Sequence, residues 1–243
     1  MRDFDASTLW RISAFLRQRD GRGELPFERG EGPSLLSTTL LADLDRLLDD
    51  PASGDPLEVV AACLRHREAA LVCLQCAPWV WPLTIFPQQQ LYHAPRDLVD
   101  LEPAPVLTGM QVLGVERPGV RPPGHWRQEP ADAGRYRPLA PLLWRLAMEG
   151  PRSRLLAEIG GRAAYRLAPG PLEQRPGASG ALRPAMQKLK QDAAALRDIA
   201  RWPGMSLERA SRMLNGLYLC GGLMVTRSHP AARDEPTPRP RLI

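Results

Sequence analysis

The chain has no long apolar run. Its most apolar stretch, Ala69–Phe86, is interrupted by Gln75, Pro78 and Pro82, well short of the roughly 20 unbroken apolar residues that a membrane-spanning helix needs. Charges are scattered through Met1–Asp20 with no apolar segment of the kind found in a signal peptide, so the sequence predicts a soluble, cytoplasmic protein. Cysteine is scarce, with 4 in 243 residues, which argues against a disulfide scaffold. Cys73-Leu-Gln-Cys76 forms a C-x-x-C string, but Cys63 and Cys220 do not supply the second, matching pair that a zinc site needs. The pair also falls inside an apolar strand rather than at a helix start, so core packing is expected instead of redox chemistry. Lysine is almost absent: of 32 basic residues, 30 are Arg. A GC-rich coding sequence explains that bias as readily as any function does.

Catalytic signatures are missing as well. His66, His93, His125 and His229 stand singly, outside any H-E-x-x-H arrangement. Gly177-Ala-Ser-Gly180 lacks the spacing of a nucleophile elbow. Gly21-Arg-Gly23 and Gly30-Glu-Gly32 lack both the Lys-Ser/Thr of a phosphate loop and a preceding strand. No acidic pair stands in a context for acid–base work. The expectation is a non-enzyme with no cofactor and no bound metal.

What is present is a charge asymmetry. Ala181–Ile243 carries eleven basic and five acidic residues, a net of +6, whereas the preceding residues carry 21 and 22 and sum to −1. The formal +5 of the chain is therefore a property of one end.

The apolar spacing predicts an α+β fold: small antiparallel sheets packed by helices, with a C-terminal winged-helix-like unit. Leu9, Ile12, Phe15 and Leu16 form one helical stripe, and Ser34 is placed to cap a helix carrying Leu36, Leu40, Leu44 and Leu47. A helix over Leu57–Arg67 leads into a strand pair, Ala70–Gln75 and Val80–Phe86, with further strands at Leu91–His93 and Pro105–Val115. Trp79, Trp81, Leu83 and Ile85 share one face of that pair, which reads as core or, alternatively, as an aromatic strip for a partner protein. Glu116–Pro138 is rich in Pro and Gly and reads as a linker. After it the pattern recurs as a helix at Leu139–Glu149, a strand at Leu155–Ile159, a Gly160-Gly161 turn and a returning strand at Ala163–Leu167. This suggests a duplicated helix-plus-hairpin module. The expected division is an N-terminal domain over 1–118, a linker over 119–138, a second module with the winged-helix-like unit over 139–228, and a disordered tail over 229–243.

Within the basic end, helices are expected at Leu182–Gln191, Ala193–Arg201 and Ser206–Leu219, with Asp192 and Ser206 as N-caps and a break at Trp202–Met205. Leu207, Ala210, Leu214 and Leu217 would be buried. Glu208, Arg209, Arg212 and Asn215 would then face outward, as on a recognition helix entering a major groove. The candidate contact residues for nucleic acid or a partner protein are Arg197, Arg201, Arg209, Arg212, Asn215 and Arg227. Two readings stay open: a DNA-binding transcription regulator, or a winged helix used as a protein-interaction surface. Glu208 in the first turn would repel phosphate and favours the second. Another protein is thus the expected partner, with DNA as the alternative; oligomeric state is unconstrained.

Leu142-Leu-Trp-Arg-Leu-Ala, Arg154-Leu-Leu-Ala-Glu-Ile-Gly-Gly-Arg-Ala-Ala-Tyr-Arg-Leu-Ala, Leu196-Arg-Asp-Ile-Ala and Arg209-Ala-Ser-Arg-Met-Leu-Asn-Gly-Leu-Tyr-Leu together resemble the bacterial PATAN family. The resemblance covers about Leu139–Val225 and, more faintly, Leu57–His93. It implies a short helix packed on a hairpin, followed by a winged-helix-like segment, in a non-enzymatic regulator or adaptor of bacterial signalling such as motility or surface behaviour. The Pro/Gly-rich text at Pro169–Gly180 stands where the family has a second helix. No functional residues carry over.

Overall fold

The structure, a computed structural model, describes residues 8–22, 36–48, 54–97, 105–124, 134–170 and 180–235. It is mixed α and β with antiparallel sheets, as the apolar spacing predicts. The chain divides into two compact units. One runs to Leu142 and includes Glu149–Pro151; the other holds Leu143–Met148 and everything from Arg152 on.

The first unit is built on an antiparallel sheet in the order β5-β2-β3-β4-β6, comprising β2 (Ala70–Cys76), β3 (Trp79–Phe86), β4 (Leu91–His93), β5 (Gln111–Glu116) and β6 (Tyr136–Pro138). A short β1 (Trp10–Arg11) pairs with the start of β3. Strands β2 and β3 form the expected hairpin, one residue longer on each side of the Ala77-Pro78 turn. Because side chains alternate along a strand, Leu71 and Cys73 face Phe15 of α1 (Ile12–Arg22). Val72, Leu74 and Cys76 lie on the opposite face and are buried too. Helix α3 (Pro56–His66) packs on β2 and β5. Cys73 and Cys76 therefore lie on opposite faces of one strand, and burial pushes the Cys73 thiol up and the Cys76 thiol up to about 12. Both act as small core residues. Trp81 is fully buried, whereas Trp79 at the hairpin mouth is half exposed beneath the Arg11 guanidinium, 5.4 Å from its ring centre.

Four expectations change in this unit. The helical stripe expected to include Leu9 begins only at Ile12, because Trp10–Arg11 pairs with β3 as a strand. The helix expected from Ser34 is α2 (Thr38–Leu48), capped by Ser37, whose Oγ accepts from Leu40 N at 3.3 Å; Ser34 lies outside the described residues. Short helix α4 occupies Pro105–Thr108, and the strand expected from Pro105 begins only at Gln111. The end of the Pro-rich segment is not free linker: Tyr136–Pro138 forms β6, hydrogen-bonded to β4, before α5 (Leu139–Glu149) begins.

The second unit is organised around α8 (Leu207–Leu219), with α6 (Arg183–Gln191), the single turn α7 (Leu196–Ile199) and the strand pair β7 (Ala164–Leu167) and β8 (Leu223–Thr226). Ala194 and Arg233 each add one rung to the edge of β7 away from β8. Leu155–Ile159 is not a strand. It closes as a turn, with the Ile159 and Gly160 amides donating to the Leu156 carbonyl at 3.1 and 3.0 Å, so no hairpin forms and β7 pairs with β8 instead. The helix expected over Ala193–Arg201 shrinks to α7, because Ala194 is drawn into the rung on Tyr165. Asp192 ends α6 rather than starting α7, while Ser206 caps α8 as expected, its Oγ accepting from Arg209 N at 3.1 Å. The tail expected to be disordered from His229 is held as far as Glu235; residues 236–243 lie outside the described set. Among the described residues no helix is long and apolar enough to cross a membrane.

Candidate functional surface of the C-terminal unit

Helix α8 is amphipathic by sequence, yet Ala210, Ser211, Met213, Leu214, Asn215, Gly216 and Leu217 are all buried. The covering element on the expected recognition face is α5. A Cβ built on Gly216 would meet the Trp144 ring at 2.7 and 2.9 Å, so glycine is what lets the two helices approach this closely. Arg212 turns back as well: its Nε pairs with Glu208 Oε1 at 2.9 Å, and its Nη1 donates to the Ala147 and Met148 carbonyls at 3.4 and 3.1 Å. Those carbonyls lie in the last turn of α5, where helix groups lack internal partners and a cation is favoured.

Asn215 is fully buried. Its Oδ1 accepts from the Leu156 amide at 2.9 Å and its Nδ2 donates to the Arg154 carbonyl at 2.8 Å. Arg209 Nη1 donates to the Gly204 carbonyl at 3.0 Å and staples the turn before its own helix. Arg227 donates to the carbonyls of Glu158, at 3.0 Å, Gly160 and Arg162. Four of the six candidate contact residues thus hold the unit together, and the structure does not gather the six onto one outward face.

No protein-family model, curated protein or solved structure matches the chain.

The remaining candidates, Arg197 and Arg201, are exposed one turn apart, on α7 and just after it. Asp198, between them in sequence, is exposed too. On the neighbouring α6, Lys188 Nζ sits 5.2 Å from the Trp202 ring centre, a cation–π contact that pins the turn after α7. Only the packing of α6 beside that turn brings Lys188 and Trp202 together. The exposed surface is therefore basic but interrupted by carboxylates, with Lys190 and Asp192 exposed at the end of α6.

A polar network in the first unit centres on Asp43. Asp43 Oδ2 lies 2.7 Å from both His66 Nε2 and Arg65 Nη2, joining α2 to α3. Hydrogen bonds from His66 and then Arg65 hold the Asp43 carboxyl below its ordinary value. At the start of the same helix, Ser37 donates through its amide and hydroxyl to Glu68, at 2.7 and 2.5 Å. The Ser37 hydroxyl is bound to a carboxylate rather than to the imidazole, so this network ties helices together without the serine–histidine contact that activates a nucleophile.

Proposed function

We propose that the protein is a non-catalytic bacterial adaptor or regulator that works through protein contacts, using the α6–α7 surface around Arg197 and Arg201. The observation that carries this reading is the cover on α8. Of the side chains that would enter a major groove, Arg212 is bound to α5, Asn215 to the 154–156 segment and Arg209 to the turn before its own helix, which leaves the acidic Glu208 exposed. What stays exposed mixes Arg197 and Arg201 with Asp198 and Asp192, which suits the rim of a protein interface better than a phosphate backbone. The PATAN-like pattern points the same way. A second reading, a DNA-binding regulator, draws support from the order α6–α7–α8–β8, which parallels a winged helix, and from the exposed basic side chains.

Two measurements on the full chain separate the readings. Mobility shift with random duplex DNA should show no complex at low salt; a complex that weakens steeply as salt rises, and is lost in Arg197→Glu/Arg201→Glu, would replace the adaptor reading with the DNA one. Crosslinked capture from the native host should recover a defined protein that the same double variant loses. Capture unchanged by the double variant would remove this surface from the proposal.

A further inference from the structure

The turn at Gly160-Gly161 holds a carboxylate. The Gly161 amide donates to Glu235 Oε1, and the same oxygen occupies the space that a Cβ on Gly160 would need. Gly161 has φ of 75°, a conformation that favours glycine and aims its amide out of the turn. Arg227 keeps carbonyls out of this slot: its guanidinium gathers the Glu158, Gly160 and Arg162 carbonyls to itself. With the Gly160 amide bound to Leu156, the Gly161 amide is the donor to the carboxylate. The turn is further fixed by Tyr165, whose buried hydroxyl donates to the Ile159 carbonyl at 2.7 Å, and by Tyr218, whose hydroxyl donates to Glu158 Oε2 at 2.6 Å.

The occupant arrives as an extended segment. Arg233 exchanges both backbone hydrogen bonds with Ala163, at 3.2 and 3.3 Å, and the carboxylate follows two residues later. Only Ala232 of this segment is buried, while Arg233, Asp234 and Glu235 are exposed. One rung, the small Ala232 side chain and one carboxylate form the attachment, which a competing strand could replace.

We propose that the β7 edge with the Gly160-Gly161 turn is a binding site for an extended acidic peptide, filled in cis by Glu235 and opened when a partner's acidic segment displaces it. This deepens, and rests on, the reading of the protein as an adaptor. The probe is a fluorescent peptide copying residues 229–237, His-Pro-Ala-Ala-Arg-Asp-Glu-Pro-Thr, titrated into the full chain. The double variant Arg233→Pro/Glu235→Gln removes the rung donor and the cis carboxylate. It should bind the peptide at least ~10-fold tighter than the native chain does. The same peptide with Gln in place of its Glu should bind the double variant at least ~10-fold weaker. Adding Gly160→Ala fills the slot and should abolish binding, with circular dichroism confirming the fold. If that triple variant unfolds, the two peptides on the double variant still decide. Equal affinity of native and opened chains, equal affinity of the two peptides, or no binding to the opened chain would each overturn the proposal. Capture dependent on Arg197 and Arg201 is unaffected by these changes, so either idea can fail alone.

Discussion

Asp43 shows how far a single side chain is set by its neighbours. Its sequence context is an ordinary exposed helix position, but His66 and Arg65 converge on one of its oxygens and hold its pKa below the usual 3.8. A carboxyl with a lowered folded-state pKa contributes stability above its unfolded value and loses it as pH falls through the folded one. Replacing Asp43 by Asn should therefore cost about 0.5–1 kcal/mol near neutrality, the scale of a partly exposed ion pair. The gap between native and variant urea midpoints should close as pH drops below 3.8. A gap that persists at pH ~2 would assign the loss to packing instead. Asn215 makes the opposite point. It reads as an outward polar residue at helical spacing, yet its amide is the buried partner of two backbone groups, and nothing local in the sequence signals which backbone it would meet.

At the scale of elements, the close approach of α5 to α8 depends on Gly216. Helix propensity alone favours Ala over Gly by about 1 kcal/mol, whereas overpacking a tight contact costs about 1–3 kcal/mol. With Trp144 ring atoms at 2.7 and 2.9 Å from the added Cβ, Gly216→Ala should destabilise by a net ~1 kcal/mol, read as a lower denaturation midpoint. A raised midpoint would mean that the Trp144 ring yields freely. Elements with their own periodicity were legible: α3, the β2–β3 hairpin and α8 with its Ser206 cap all lie where spacing and capping residues place them. Elements that needed a distant partner were not. Leu155–Ile159 is as apolar as a strand, but the Leu156 amide and Arg154 carbonyl are claimed by Asn215, so that segment has no ladder to join. Ala194 and Arg233 leave their expected helix and tail because β7 offers them an unpaired edge.

For the whole molecule, the division within and just after α5 has a consequence for fragments. Leu143, Leu146 and Ala147 of α5 are buried, and residues 143–148 belong to the second unit. A fragment of residues 139–243 should show a cooperative thermal transition by near-ultraviolet circular dichroism. A fragment of residues 152–243, stripped of the helix that covers Gly216 and is capped by Arg212, should not. Cooperative folding of the shorter piece would show that α8 does not require α5. Local physics, namely apolar spacing, caps and turn residues, determined the α+β class, the hairpin and the helical C-terminal unit from sequence alone, because each is encoded within a few consecutive residues. The basic C-terminal end was equally plain as a charge count. Only tertiary structure decided what those charges do, since whether an arginine meets solvent or a carbonyl depends on which chain segment, often sixty residues away, folds against it.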